Sequence, residues 1–128
     1  MTTVLPSSSI SIKLLPNGRS GIMLEDYTIW DKDLGVIIVP KGFETDFASV
    51  PRLFWNILPP WGEYAPAAIV HDYLYVMQPF TRYEIDYLFL RIMEQLEVGW
   101  FKRHIMYRGV RIGGWNAWNR HNEKLNKV

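Results

Sequence analysis

Apolar and polar residues alternate along the first third of the chain, which is the pattern of half-buried β-strands. Residues 9–15 alternate up to Pro16-Asn17-Gly18, and this tripeptide favours a tight turn because asparagine and glycine tolerate positive φ. The predicted strands are residues 9–15, 21–24, 27–30, 36–39 and 43–47. We therefore expect antiparallel β-hairpins, or a meander, within residues 8–48.

The pattern changes in residues 49–65, where Pro51, Pro59 and Pro60 block a continuous helix or a central strand. Aromatic side chains stand between the prolines. This segment is therefore predicted to be an ordered, aromatic-packed loop with one short helix near residues 52–58.

Three helices are predicted in residues 66–123. The first runs from Pro66, a residue suited to a first helical turn, to about Met77. Thr81 and Glu84 form a capping box before a helix with apolar residues at helical spacing, which ends by Gly99. The third covers residues 101–112 and is followed by a polar tail. The order of strands, loop and helices predicts an α+β fold, and 128 residues suit one domain over residues 1–128.

Composition narrows the functional classes. The chain contains no cysteine, so disulfides and thiolate chemistry are excluded. No apolar run approaches the ~20 residues of a membrane span, and the first residues lack the pattern of a secretory signal. We expect a soluble protein that is not secreted by a signal peptide.

Charge is distributed unevenly along the chain. Residues 99–128 contain seven lysines and arginines against one glutamate, a net charge of +6, while the remainder carries −5. This basic end is either a solvated surface with internal ion pairs or a contact site for an anionic partner. Its tryptophans could stack on bases, but no recognised nucleic-acid motif is present, so we predict no specific nucleic-acid ligand.

Three polar residues stand beside apolar ones on the first two predicted helices. His71 and Asp72 are adjacent on the first, where burial is costly unless the group is paired or bound to a metal. Asp86 is expected to face the first helix and to orient His71 by accepting its ring N–H. The alternatives are a hydrogen-bonded core histidine and a first-turn acid favoured by the helix dipole.

The strand end before Pro51 supplies the other candidates, since functional residues often occupy loops on a rigid scaffold. Asp46 and Ser49 also suit plain turn and capping roles. By residue type Ser49, His71 and Asp86 match a catalytic triad, although no glycine pattern of a nucleophile elbow surrounds the serine. One histidine with several aspartates favours Ca²⁺, Mg²⁺ or Mn²⁺ over zinc.

Residues 42–51, the run His71-Asp72-Tyr73-Leu74-Tyr75 and the pair Arg82 and Asp86 resemble a family of small tailed-phage and prophage proteins of unknown function. The resemblance covers residues 42–107. It implies a phage origin, with a location in the host cytoplasm or the virion and a virion or host protein as partner. It implies no activity.

His71-Asp72-x-x-Tyr75, followed by a helix bearing Asp86, is similar to the core of secreted histidine–aspartate phospholipases. That similarity implies that His71 is general base to a water, that Asp72 binds Ca²⁺, and that Tyr75 and Asp86 support the histidine. The chain departs from those enzymes because it lacks their cysteines and their glycine-rich calcium loop.

These observations predict a metal-assisted hydrolytic site acting on a small-molecule or polymer ester or amide. Its predicted members are His71, Asp86 and Ser49 as catalytic residues, Asp72 and Asp46 as ligands of a divalent cation, and Thr45, Tyr75 and Arg82 as support. The alternative is a non-enzymatic phage accessory or virion module. In that case the same cluster binds a ligand or connects the loop to the helices.

Overall fold

The computed structural model describes residues 3–56 and 64–126. Strands occupy the N-terminal half and helices the C-terminal half, which confirms the α+β prediction. The strands are β1 (Thr3–Val4), β2 (Ile12–Leu14), β3 (Gly21–Met23), β4 (Tyr27–Asp31), β5 (Gly35–Val39) and β6 (Glu44–Thr45). The helices are α1 (Ala65–Met77), α2 (Arg82–Gln95), α3 (Trp100–Gly113) and α4 (Trp115–Asn126), with a short 3-10 helix at Arg52–Phe54.

The strands form two small antiparallel sheets, ordered β1-β4-β5 and β2-β3-β6. The β2–β3 hairpin closes through the predicted turn, where Gly18 has a φ of 69° and the Asn17 side chain accepts two backbone N–H bonds. In β4 alternate residues point inward, so Asp31 is buried with the apolar members of its strand. The local turn and alternation signals were therefore sufficient to predict the hairpins, but β1 lies before the predicted strand range of residues 8–48 and was missed.

The last predicted strand is shorter than expected. Residues 43–47 were predicted, but β6 ends at Thr45. Phe47 adopts a φ of 58°, a left-handed conformation that breaks an extended strand. The chain consequently turns two residues before Ser49.

The first two helices begin where the sequence predicts. Pro66 lies in the first turn of α1, and Thr81 and Glu84 form the reciprocal capping box that starts α2. The second helix ends at Gln95, and Gly99 is the N-cap of α3 rather than the end of α2. Glu97, with a φ of 61°, makes the turn between them.

The prediction of three helices and a polar tail is wrong, because the described part of the chain contains a fourth helix, α4. Its buried contact is small: Ala117 is buried, and the ring of Trp118 packs edge-on against Tyr75 at 5.2 Å. Gln78 also donates to the Trp118 carbonyl at 2.9 Å. These contacts hold a mostly polar helix against α1 and the residue that caps it.

The short helix predicted near residues 52–58 is observed at Arg52–Phe54, and residues 57–63 lie outside the described ranges. Among the described residues, no helix combines the length and apolarity needed to span a bilayer.

Helix α1 lies at the centre of the core, packed against α2, α4 and β6. Every residue from Ala65 to Asp72 is buried, so this half of the helix has no solvated face. His71 and Asp72 are therefore carried into the protein interior by the helix, where each needs a polar partner.

Candidate active site

A hydrogen-bonded chain connects three of the predicted site residues. The Ser49 Oγ lies 2.9 Å from Nδ1 of His71, and Nε2 of the same ring lies 2.7 Å from Oδ1 of Asp86. Because a carboxylate accepts only, Nε2 carries the proton toward Asp86. In the neutral ring Nδ1 then accepts from the Ser49 hydroxyl.

Three separate elements bring these side chains together. Ser49 lies in the turn after β6, His71 in the middle of α1, and Asp86 in the first half of α2. All three are buried, with exposures of 0, 1 and 0% respectively. The His71 ring packs between Tyr75 and Phe89, with centroid distances of 4.3 and 4.7 Å. Asp86 does face the first helix, as its position on α2 suggested.

Asp86 is the acceptor for several donors. The Tyr75 hydroxyl donates to its Oδ1 at 2.6 Å, and Arg111 donates to its Oδ2 at 2.7 Å. Burial raises the pKa of Asp86, but the hydrogen bonds from His71, Tyr75 and Arg111 outweigh burial and lower the pKa overall. Asp86 is therefore held as a carboxylate. Burial, and then the Asp86 charge, raise the pKa of Tyr75, which keeps that phenol protonated as a donor.

The two arginines at this site reach Asp86 from different helices. Arg82, predicted as a supporting residue, donates to the Tyr75 hydroxyl at 3.1 Å and to the carbonyls of Val110 and Arg111 at 2.6 Å. Those carbonyls belong to the last turn of α3, and the Val110 carbonyl also accepts the Gly114 backbone N–H at 2.8 Å. Arg111 was missed, because the sequence presents it only as one more charge of the basic end. A buried carboxylate at position 86 requires a cationic partner, and this requirement was the one signal in the sequence that pointed to an arginine or lysine.

Asp72 joins the turn after β6 to α1. The Thr45 hydroxyl donates to its Oδ2, and the Ser49 N–H donates to its Oδ1 at 3.3 Å. Burial raises the pKa of Asp72, and the nearby Asp46 charge raises it further, so the pKa lies above its ordinary value despite the bond from Thr45. The structure thus brings Thr45 and Asp72 together with Ser49, and the Thr45–Asp72 pair supports the backbone of the serine.

Asp46 is exposed, and its Oδ1 accepts the Ala48 N–H at 2.9 Å in a turn-capping contact. Asp46 and Asp72 nevertheless line the same cavity, of about 450 Å³, together with Lys124 from α4. The described ranges contain no group of three or more histidine, aspartate or glutamate side chains placed to hold a metal ion. The divalent cation expected on Asp72 and Asp46 stays a prediction.

Comparison with known proteins gives a family but no activity. A family described as "Protein of unknown function (DUF1353)" matches residues 22–110, more than half of the chain. The chain belongs to this family. The matched residues include Ser49, His71 and Asp86, whereas Arg111 lies just beyond them.

The chain is also similar to "Uncharacterized protein y4jT" of Sinorhizobium fredii (strain NBRC 101917 / NGR234), with 33% identity over 78 residues. The aligned segment covers 59% of this chain and 23% of that protein, so the chain spans only about a quarter of the relative's length. No solved structure matches the chain.

The similarity to histidine–aspartate phospholipases can now be compared with the contacts. His71 and Tyr75 both bond Asp86, as that similarity implies for a supported histidine. Two other positions differ: Ser49 Oγ faces Nδ1, where the similarity implies a water, and Asp72 accepts bonds from Thr45 and Ser49. In this geometry Nδ1 of His71 therefore faces the hydroxyl of a serine, Ser49.

We expect the Asp72→Asn variant to gain stability relative to the natural protein as the pH rises above about 4. Burial raises the pKa of Asp72 in the folded state, so the unfolded chain releases this proton first. The natural protein then loses stability until the pH passes the folded pKa, whereas asparagine does not titrate. Urea unfolding of both proteins at a series of pH values measures the difference. The same trend in the exposed control Asp33→Asn would contradict the assignment.

Proposed function

We propose that this protein is a hydrolase of esters or amides in which Ser49 is the nucleophile. His71 is the general base, and Asp86 orients the histidine and stabilises its protonated form. One observation carries the proposal: the unbroken hydrogen-bond chain from Ser49 Oγ through both ring nitrogens of His71 to the Asp86 carboxylate. A serine needs such an adjacent, oriented base to become nucleophilic.

The proposed reaction has two proton-transfer stages at one nitrogen. Ser49 Oγ attacks the substrate carbonyl carbon while its proton passes to Nδ1 of His71, and the leaving group then departs with that proton. A water attacks the acyl-serine, gives its proton to Nδ1, and the proton returns to Ser49 Oγ when the acid is released. Positioned base catalysis of this kind contributes about 10²–10⁴-fold to the rate.

The neighbouring residues have supporting roles in this proposal. Tyr75 and Arg111 bond Asp86, and Arg82 Nε lies 3.7 Å from its Oδ2 as a further ion pair. The Thr45–Asp72 contact fixes the backbone of Ser49. A cation on Asp72 and Asp46 would polarise the substrate carbonyl beside the serine. The proposal includes the phage origin that the residue pattern implies.

The reactivity of Ser49 is testable without a known substrate. A fluorophosphonate probe phosphonylates activated serines and releases fluoride, so we expect one adduct, located at Ser49 by peptide mass spectrometry. Ser49→Ala removes the reacting oxygen, and His71→Asn removes the base, so both variants should lose the adduct while circular dichroism shows a folded protein. Ser9→Ala, at an exposed serine, is the matched control and should label like the natural protein.

Hydrolysis is measured in parallel on p-nitrophenyl esters and anilides, each with EDTA and with added Ca²⁺, Mg²⁺ or Mn²⁺. We expect turnover that disappears in Ser49→Ala. A folded protein with neither an adduct at Ser49 nor turnover under any of these conditions would overturn the proposal. A gain that depends on the cation and is lost in Asp72→Asn would place the ion in the mechanism.

One observation favours a second candidate, the non-enzymatic module. The N–H groups of the turn at residues 47–50 already donate to Thr45, Asp46, Asp72 and Phe47 respectively, so each is occupied rather than directed at a substrate oxygen. In this candidate the cluster connects the turn to α1 and α2. Ser49→Ala and His71→Asn would then cost about 1–3 kcal/mol of stability by unpairing buried groups, and no adduct would form.

A further inference from the structure

The outer face of α3 carries a second apolar stripe, opposite the side that packs on the core. Met106 and Val110 are the buried core residues of this helix. Phe101, Ile105, Arg108 and Ile112 follow one another at intervals of four, three and four residues, which places them on one other face. Phe101 is 70% exposed and Ile112 77% exposed. This interval pattern is the heptad pattern of a helix–helix contact.

A groove runs beside this stripe. One cavity of about 460 Å³ lies between α3 and the 3-10 helix, with Leu53 on the far wall, and an adjoining cavity of about 210 Å³ begins at Trp100. Ile105 and Arg108 line both cavities. A span from Trp100 to Gly113 corresponds to about 20 Å of helix. The groove is therefore long enough for several turns of a second helix.

Gly109 sets the floor of this groove. A Cβ atom at this position would lie 2.5 Å from the Phe54 ring, so the glycine lets that ring pack directly on the α3 backbone. Leu53, next to it, is left 80% exposed on the rim. The two walls thus present apolar side chains to a common space, with one charged group, Arg108, among the lining residues of the larger cavity.

Charge indicates which partner the groove fits. Helix α3 contains four basic residues and no aspartate or glutamate. A second copy of the chain would therefore bring arginine toward Arg108 and supply no acid from the same helix, and like charges in an interface are costly. A polar residue in a heptad seam selects a partner with a matching group.

We propose that this groove binds an amphipathic α-helix of another protein, with apolar side chains at heptad spacing and an acidic residue opposite Arg108. The apolar residues of the partner helix pack between Leu53 and the α3 stripe. The acid pairs with the Arg108 guanidinium and fixes the register. The proposal concerns a face of α3 other than the one that carries Arg111 to Asp86, and it stands independently of the hydrolase proposal.

Two synthetic helical peptides of about three heptads test the proposal, with leucine at the seam positions and either glutamate or lysine at the central one. We expect the glutamate peptide to bind the natural protein at least about tenfold more tightly than the lysine peptide, measured by isothermal titration calorimetry. Arg108→Glu should reverse this preference. Arg120→Glu makes the same charge change on the exposed surface of α4 and should leave the preference unchanged.

Three results would each overturn the proposal. The first is that neither peptide binds the folded protein, and the second is that Arg108→Glu leaves the peptide preference unaltered. The third is self-association that Phe101→Ser abolishes in sedimentation velocity, which would assign the face to a second copy. Circular dichroism of each variant establishes that a loss of binding is not a loss of fold.

Discussion

Asp86→Ala is expected to lower the free energy of unfolding by about 3–5 kcal/mol, the usual consequence of removing one partner of a buried ion pair. The substitution leaves the His71 ring N–H and the Tyr75 hydroxyl without their acceptor, and it leaves Arg111 without its carboxylate. The Arg111 side chain is 32% exposed, so water replaces part of its contact with Asp86. The loss of unfolding free energy should therefore lie toward the lower end of that range. The melting temperature should fall by more than about 10 °C.

Urea unfolding at neutral pH measures this effect, with Asp46→Ala as the matched control. Asp46 is exposed, so Asp46→Ala loses only the turn contact with the Ala48 N–H. Apart from that contact, the free energy of unfolding should change by no more than about 0.5 kcal/mol. The difference between natural protein and Asp86→Ala should also shrink on acidification. The folded pKa of Asp86 is lowered, so its stabilisation is present above the unfolded pKa and is lost as pH falls through the folded pKa. A loss below about 1 kcal/mol would contradict the buried network.

The parts of the fold that sequence predicts correctly are those with local signals. Asn17-Gly18 specifies its turn through backbone conformation, and Thr81 with Glu84 specifies the start of α2 through reciprocal hydrogen bonds. These interactions lie within three residues of one another, so they can be read without knowing the tertiary structure. The position of Asp86 on α2 then followed from helical geometry alone.

The missed parts depend on distant residues. Helix α4 is mostly polar, and it is held by contacts such as the one from Gln78 to the Trp118 carbonyl, 40 residues away. Arg111 meets Asp86 across 25 residues. Sequence spacing contains no information on such pairings, because they are created by the way the helices pack. The same reason explains why the burial of Ser49 was not anticipated from a loop position.

Asp31 is the clearest of these distant cases, and Asp31→Ala is expected to cost about 3–5 kcal/mol. Asp31 is fully buried at the end of β4 and accepts bonds from the Thr3 hydroxyl and from the N–H groups of Asp33 and Leu34. Arg91 of α2 donates to both of its oxygens, at 3.0 and 2.7 Å. Burial raises the pKa of Asp31, but the bonds from Arg91 and Thr3 outweigh it and lower the pKa.

Removal of this carboxylate therefore affects β1, the β4–β5 turn and α2 together. Arg91 would remain with a side chain only 12% exposed and without its ion-pair partner. Asp33→Ala, an exposed aspartate in the same turn, is the control and should stay within about 0.5 kcal/mol of the natural protein. A double-mutant cycle with Arg91→Ala separates the ion pair from the turn bonds, since only the pair contributes to the coupling energy. If that coupling is absent, the loss in Asp31→Ala comes from the bonds to Thr3 and to the turn, and the strands and α2 are not joined through this pair.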